Sequence, residues 1–352
     1  TSRIQSLSDN NRTKLISLIN SILPRLLVKA HEPLVTLGRL LDFFESIARR
    51  TAYLSLLMEY PAATEQLLRM LDASEWAARY LTRHPILLDE LLDTRTLMAP
   101  PDWAFFNAEL DRHLETQRGD TEWSMDTLRE AHHAQLFRFL AQDLAGGLTV
   151  ERLADYLSKL ADLIVEATLK EVWLAMPKRH RNVPRFAVIA YGKLGGKELG
   201  YASDLDLIFL YDDDHPDAPT LYARLAQRFI TWMTSPTSAG ILFDVDIALR
   251  PDGASGLMVS SFDSFERYQQ ESAWAWEHQA LTRARFCAGD VTIGTRFEAL
   301  RNRILKLDRD PAWLKAEILK MRQRIHDAHP NRSALFDLKH DTGGMIDIEF
   351  IV

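Results

Sequence analysis

Asp204 and Asp206 carry the clearest chemical signal in the sequence. They stand in GKLGGKELGYASDLDLIFLY, residues 192–211, at the head of an apolar run. On a β-strand, residues two apart point to the same face. The two carboxylates therefore project together, while Leu205 and Leu207 turn toward a core. Paired carboxylates on one face suit Mg²⁺, a hard cation that prefers oxygen ligands. Just upstream, Gly192, Gly195 and Gly196 allow backbone N–H groups to approach phosphate oxygens closely. The order of these features suits metal-assisted chemistry on a nucleoside triphosphate.

A later stretch offers a third carboxylate. Asp244 and Asp246 alternate with Phe243, Val245 and Ile247, so both share one face of a strand expected at 241–249. If that strand lies beside the one at 205–211, a third acid can join the first two and help hold a second ion. Phase alone leaves the choice between Asp244 and Asp246 open. Arg250 ends this strand, where it can meet phosphate or brace a carboxylate. The glycine loop is neither of two common phosphate loops. It lacks Gly-x-x-x-x-Gly-Lys-[Ser/Thr], and it does not read Gly-x-Gly-x-x-Gly.

The elements that must position these residues follow from hydrophobic period. Residues 186–191 and 205–211 read as strands, 220–233 as a helix stopped near Pro236, and 257–260 as a short edge piece. Asp212, Asp213 and Asp214 read as a solvated turn. A long helix is expected from 149 to 176. Residues 1–147 are helical throughout, with stripes such as Leu15, Leu18, Ile19, Ile22, Leu23 and Leu37, Leu40, Leu41, Phe44, Ile47, and with Pro24 placed to kink or divide the first. His113, His132 and His133 read as a solvated helix face, since adjacent helical residues point about 100° apart, a poor ligand geometry. Arg49, Arg50, Arg79 and Arg83 read as surface or interdomain charges. The expected fold class is α+β, mostly helical: a small mixed sheet with helices, preceded by an all-α domain. The expected division is 1–147 helical, 148–300 catalytic and 301–352 a further helical segment.

Composition bounds the remaining choices. The chain has 352 residues, 47% hydrophobic and 26% charged, which is enough apolar content for a sizeable core. A net charge of −7 gives no support to general nucleic-acid binding. Cys287 is the only cysteine, so no internal disulfide can form and a cytoplasmic setting fits best. No apolar run reaches the ~18 residues of a membrane span, so no membrane association is expected. The sequence stops inside the apolar run Phe350-Ile351-Val352, which reads as the interior of a longer protein.

Longer stretches carry a family resemblance. Gly192, eleven residues, then Asp204-Leu205-Asp206 resembles the nucleotidyltransferase superfamily of DNA polymerase β type. AYGKLGGKELGYASDLDLIFLYD, LRPDGASGLMVSS, AWAWEHQALTRAR and DLKHDTGGMIDIEFIV together resemble the glutamine synthetase adenylyltransferases, and the wording is closest to their C-terminal, adenylylating half. The resemblance implies transfer of AMP from ATP to a tyrosine of glutamine synthetase. It implies two Mg²⁺ ions on Asp204, Asp206 and Asp246. The nucleotide would be bound by Gly192, Lys193, Gly195, Gly196, Lys197, Ser203 and Arg250, with Arg283 and Arg285 as weaker candidates. It also implies control by glutamine and the PII nitrogen-signalling protein. One departure stands out: the family's Val-Asp-x-Arg-Leu-Arg-Pro has Ala248 in place of its first arginine. Two other readings remain at this point. One is the opposite half, which removes AMP by phosphorolysis; the other is a non-catalytic nucleotide-binding module. The acids and glycines of 337–349 read as a turn and cap at the start of a helix.

Overall fold

The computed structural model describes residues 7–351, leaving aside the side chain of Ala254. Residues 1–6 of the expected helical domain, and Val352 of the apolar ending, lie outside that range. Chain contacts divide the molecule into two units. One ends at Ala167 and includes Ser235–Leu242; the other contains Thr168–Thr234 and the chain from Phe243 onward. Among the described residues, no helix is long and apolar enough to cross a membrane.

The first unit is helical, and side chains set its helix ends. Ser8, Ser74, Asp93, Asp102 and Asp120 each accept a hydrogen bond from a backbone N–H in the first turn that follows. Pro33 and Pro61 occupy first-turn positions, where a missing N–H costs nothing. Pro24 neither ends nor divides its helix, which runs unbroken over Asp9–Lys29. The stripes bury Leu15, Leu18, Ile22, Leu40, Phe44 and Ile47, while Leu41 stays exposed.

The histidine pair departs from expectation. His132 and His133 are buried, at 4% and 7% exposure, in the helix Thr121–Leu144. Tyr80 Oη lies 2.6 Å from His133 Nδ1, and the His84 ring lies 4.1 Å from that of His133. Burial pushes both imidazoles far down, His132 to about 3 and His133 to about 2, so they act as neutral packing groups. His113 is exposed and sits beside Arg112. The solvated-face reading rested on the poor ligand geometry of adjacent helical histidines, which says nothing about burial; this helix is enclosed on several sides. On the same helix, fully buried Arg129 donates to Met125 O, Ser235 O and Gly240 O, which fastens Ser235–Leu242 within this unit. An arginine reads as surface in any sequence, so nothing announced that clamp.

Among the described residues, the second unit is built on five strands: β1 (Phe186–Ala190), β2 (Leu205–Tyr211), β3 (Val245–Asp246), β4 (Val259–Ser261) and β5 (Arg285–Gly289). β1 lies antiparallel between β2 and β5. The free edge of β2 pairs in parallel with β3 near its start and with β4 near its end. β1 is buried at every residue, which explains its uninterrupted apolar sequence. One face packs Ile189, Ile208 and Leu210 against Phe262, Phe265 and Phe297. The other stacks Phe186 with Phe209 and Tyr222, and sets Phe229 edge-on to Phe209.

Three expectations need correction here. The strand expected at 241–249 contracts to Val245–Asp246, because Asp246 Oδ1 accepts the Ala248 N–H at 2.7 Å and turns the chain. The edge piece shifts to Val259–Ser261, and β5 was not foreseen at all. Asp213 is no solvated turn residue. Its side chain is 1% exposed and accepts from His180 at 2.7 Å, Arg181 at 2.9 Å and Tyr222 at 2.7 Å. Burial alone would raise its pKa, but the bonds from Tyr222 and His180 and the Arg181 charge outweigh it and hold the carboxyl down at about 2.

A folded-state pKa below the unfolded value stabilises the fold above the unfolded pKa, and the gain disappears as pH falls through the folded one. Asp213→Asn is therefore expected to cost about 2–4 kcal/mol at neutral pH, with the difference from wild type shrinking between about pH 4 and pH 2. Denaturant unfolding of both proteins at pH 7 and pH 3 measures this.

Candidate active site

β2 presents its residues with the phase the sequence implied. Leu205 and Leu207 are fully buried, and Asp206 between them is half-buried on the opposite face. Asp204 precedes the strand. Residues 200–203 form a tight turn that delivers it, in which Ser203 Oγ accepts the Gly200 N–H at 3.0 Å. The parallel register puts Asp246 directly beside Asp206. Ligand oxygens of Asp204, Asp206 and Asp246 all lie within 4.8 Å of one another. Asp244 is not in this group. It contributes to the pairing through its carbonyl, which accepts the Leu205 N–H at 2.9 Å.

Three carboxylates this close repel one another. Asp206 is pushed up to about 6, first by burial, then by the charges of Asp204 and Asp246, with Lys193 and Arg283 opposing. A divalent cation relieves both costs. An all-oxygen set with two exposed members also fits a metal that keeps water and shares its ligands with a substrate phosphate. The residues present therefore fit Mg²⁺.

The glycines separate by role. Gly192 has φ +54°, and a Cβ there would sit 2.1 Å from Asp206 Oδ2. Only glycine allows the backbone to pass so close to that carboxylate. Gly195 presses on carbonyls instead: a Cβ would meet Arg283 O at 2.1 Å and Ala190 O at 2.7 Å. At Gly196 it would meet Glu198 Oε1 at 2.7 Å and Arg283 Nε at 3.2 Å. The segment Gly192–Gly195 is a short helical turn leading from β1.

The basic residues also separate. Lys193 is exposed, and its charge acts on Asp206. Lys197 is exposed with φ +57°, an uncommon conformation for lysine. Arg250 donates to Ile247 O at 2.7 Å and Gly256 O at 3.3 Å, so the structure uses it to brace the turn after β3. Arg285 donates to Leu194 O and holds the glycine turn against β5. Ala248, which stands where an arginine was expected, contributes its backbone N–H to Asp246, a bond that arginine there would equally permit.

The distal acids mostly serve local structure. Asp341 accepts the Asp337 N–H at 2.8 Å, and Asp347 accepts the Gly343 N–H at 2.6 Å and pairs with Arg322. Glu349 differs, since it reaches Arg283. Neither this contact nor the Gly192–Asp206 contact was read from the sequence. The only available hint was the density of glycine and arginine in the two stretches.

Comparison with known proteins bears on the same residues. A family model described as glutamate-ammonia ligase adenylyltransferase matches residues 64–300. The chain is 56% identical over 339 residues to a protein of Aromatoleum aromaticum, a match covering 96% of this chain and 36% of that one. It is 56% identical over 354 residues to one of Ralstonia nicotianae, covering 99% and 37%. It is 57% identical over 317 residues to one of Chromobacterium violaceum, covering 90% and 35%. All three relatives are named bifunctional glutamine synthetase adenylyltransferase/adenylyl-removing enzyme. The chain thus spans little more than a third of their length.

Proposed function

The chain belongs to the glutamate-ammonia ligase adenylyltransferase family, and from that premise we propose that it transfers AMP from ATP to a tyrosine hydroxyl of glutamine synthetase. The observation that carries this reading is the convergence of Asp204, Asp206 and Asp246 within 4.8 Å, with Gly192 pressed against Asp206. Retention of all three acids disfavours a module that only binds nucleotide. The adenylylating direction rests on the wording of the β2 and 273–285 stretches.

In this reading Asp204, Asp206 and Asp246 would hold Mg²⁺, and we assign two ions to them. Bound Mg²⁺ would neutralise the triphosphate and lower the tyrosine hydroxyl from its usual pKa of about 10, which makes it a nucleophile at neutral pH. The chain's own residues do the positioning. The Gly192–Gly195 turn brings backbone close to the carboxylates, so the triphosphate and the acids share one small volume. Lys193 and Arg283 supply positive charge toward the same volume. Tyrosine oxygen bonds to the α-phosphorus as the bond to the bridging oxygen breaks, and pyrophosphate leaves. The setting would be cytoplasmic, with glutamine and PII as effectors.

Pyrophosphate release from ATP is the direct test. It should require both Mg²⁺ and glutamine synthetase. Release that ignores the acceptor, or none with both present, counts against the proposal.

A further inference from the structure

Arg283 links the glycine turn to the distal helix. Its Nη2 donates to Glu198 Oε2 at 2.7 Å, and its Nη1 donates to Glu349 Oε1 at 2.7 Å. Glu198 lies just past the glycine turn, whereas Glu349 lies 66 residues beyond Arg283, in the helix Met345–Ile351. Gln279 Nε2 secures the backbone of that same residue, donating to Glu349 O at 3.1 Å. The arginine is also seated against the turn itself, because Gly195 and Gly196 leave no room for a Cβ between them and Arg283.

We propose that Glu349 is a positioning residue for the nucleotide: with Glu198 it fixes the Arg283 guanidinium beside the glycine turn, where Arg283 meets the triphosphate of bound ATP. The inference rests on reading the acid trio and glycine turn as an ATP site. Two facts support it. Arg283 lies directly against the glycine turn, its Nε 3.2 Å from where a Cβ on Gly196 would sit and its carbonyl 2.1 Å from one on Gly195, so it stands beside the loop read as the phosphate cradle. A free arginine side chain also carries considerable rotamer entropy, and two charge-assisted bonds hold it ready before the ligand arrives. The same bonds restrain it from pairing with the aspartates and competing with the metal.

The test is MgATP binding by calorimetry to this chain as wild type, Glu349→Gln, Arg283→Met and the double variant. Glu349 is exposed and glutamine matches its shape, so the melting midpoint should stay within about 2 °C. The Kd for MgATP should rise about fivefold in Glu349→Gln and about tenfold or more in Arg283→Met. The double variant should bind like Arg283→Met alone, because Glu349 acts through the arginine. Equal losses from Glu349→Gln in both backgrounds overturn the inference, as does an unchanged Kd in Glu349→Gln while wild type binds. Wild-type protein that fails to bind MgATP overturns the reading of the site itself, and this inference with it.

Discussion

Asp206→Asn should lower AMP transfer by about 10³-fold or more, because a neutral amide cannot replace the central carboxylate of the proposed metal site. Asn keeps the shape of the side chain, so the fold should persist. Its effect on stability should in fact be favourable without metal. Asp206 is half-buried and faces two like charges, and the substitution removes that repulsion. Metal-free Asp206→Asn is therefore expected to melt at or above the wild-type temperature, yet to lose the rise in melting temperature that Mg²⁺ gives wild type. Thermal melts with and without Mg²⁺, run beside the transfer assay, separate this outcome from simple unfolding. A variant that transfers AMP at near-wild-type rate shows that Asp206 is not a metal ligand.

Gly192→Ala should be nearly as severe for a purely steric reason. Its Cβ would lie 2.1 Å from Asp206 Oδ2, so the carboxylate or the turn must shift by more than an ångström. Positive φ adds backbone strain of about 1–3 kcal/mol for any side chain. Transfer is expected to fall by about 10²-fold or more, since misplacing a catalytic group by about an ångström costs that much. Gly146→Ala is the matched control. It also has positive φ, +72°, but nothing lies within 4 Å of its added Cβ. It should share the strain and spare the transfer rate. If the two variants lose activity equally, the contact with Asp206 is not what requires glycine at 192.

The part of this site that was legible in the sequence follows strand period. Leu205, Asp206 and Leu207 could be phased from residue types alone, and β2 occupies the expected 205–211. The same rule put Asp246 on the correct face. It could not give the length of its strand, because a side-chain bond to Ala248 ends the pairing after two residues. Sequence period also failed where a polar residue found distant partners. Asp213 looked like one of three solvated acids until His180, Arg181 and Tyr222 enclosed it. His132 and His133 read as external once their divergence of about 100° argued against a metal site, but that geometry does not report burial, and both are enclosed. The Arg283–Glu349 pair, separated by 66 residues, has no local signature at all. Apart from the local Asp246–Ala248 bond, each miss involves tertiary contact, which local pattern does not encode.

Whether AMP passes from ATP to a protein tyrosine is tested most directly by isotope. The chain is incubated with ATP labelled at the α-phosphate, Mg²⁺ and unmodified glutamine synthetase, and the synthetase is then digested and mapped by mass spectrometry. The expected result is AMP on a tyrosine, with one pyrophosphate released for each label. Unlabelled synthetase under conditions where the chain binds MgATP would contradict the proposal. So would label confined to other residues, or a chain that only forms ADP from phosphate and adenylylated synthetase.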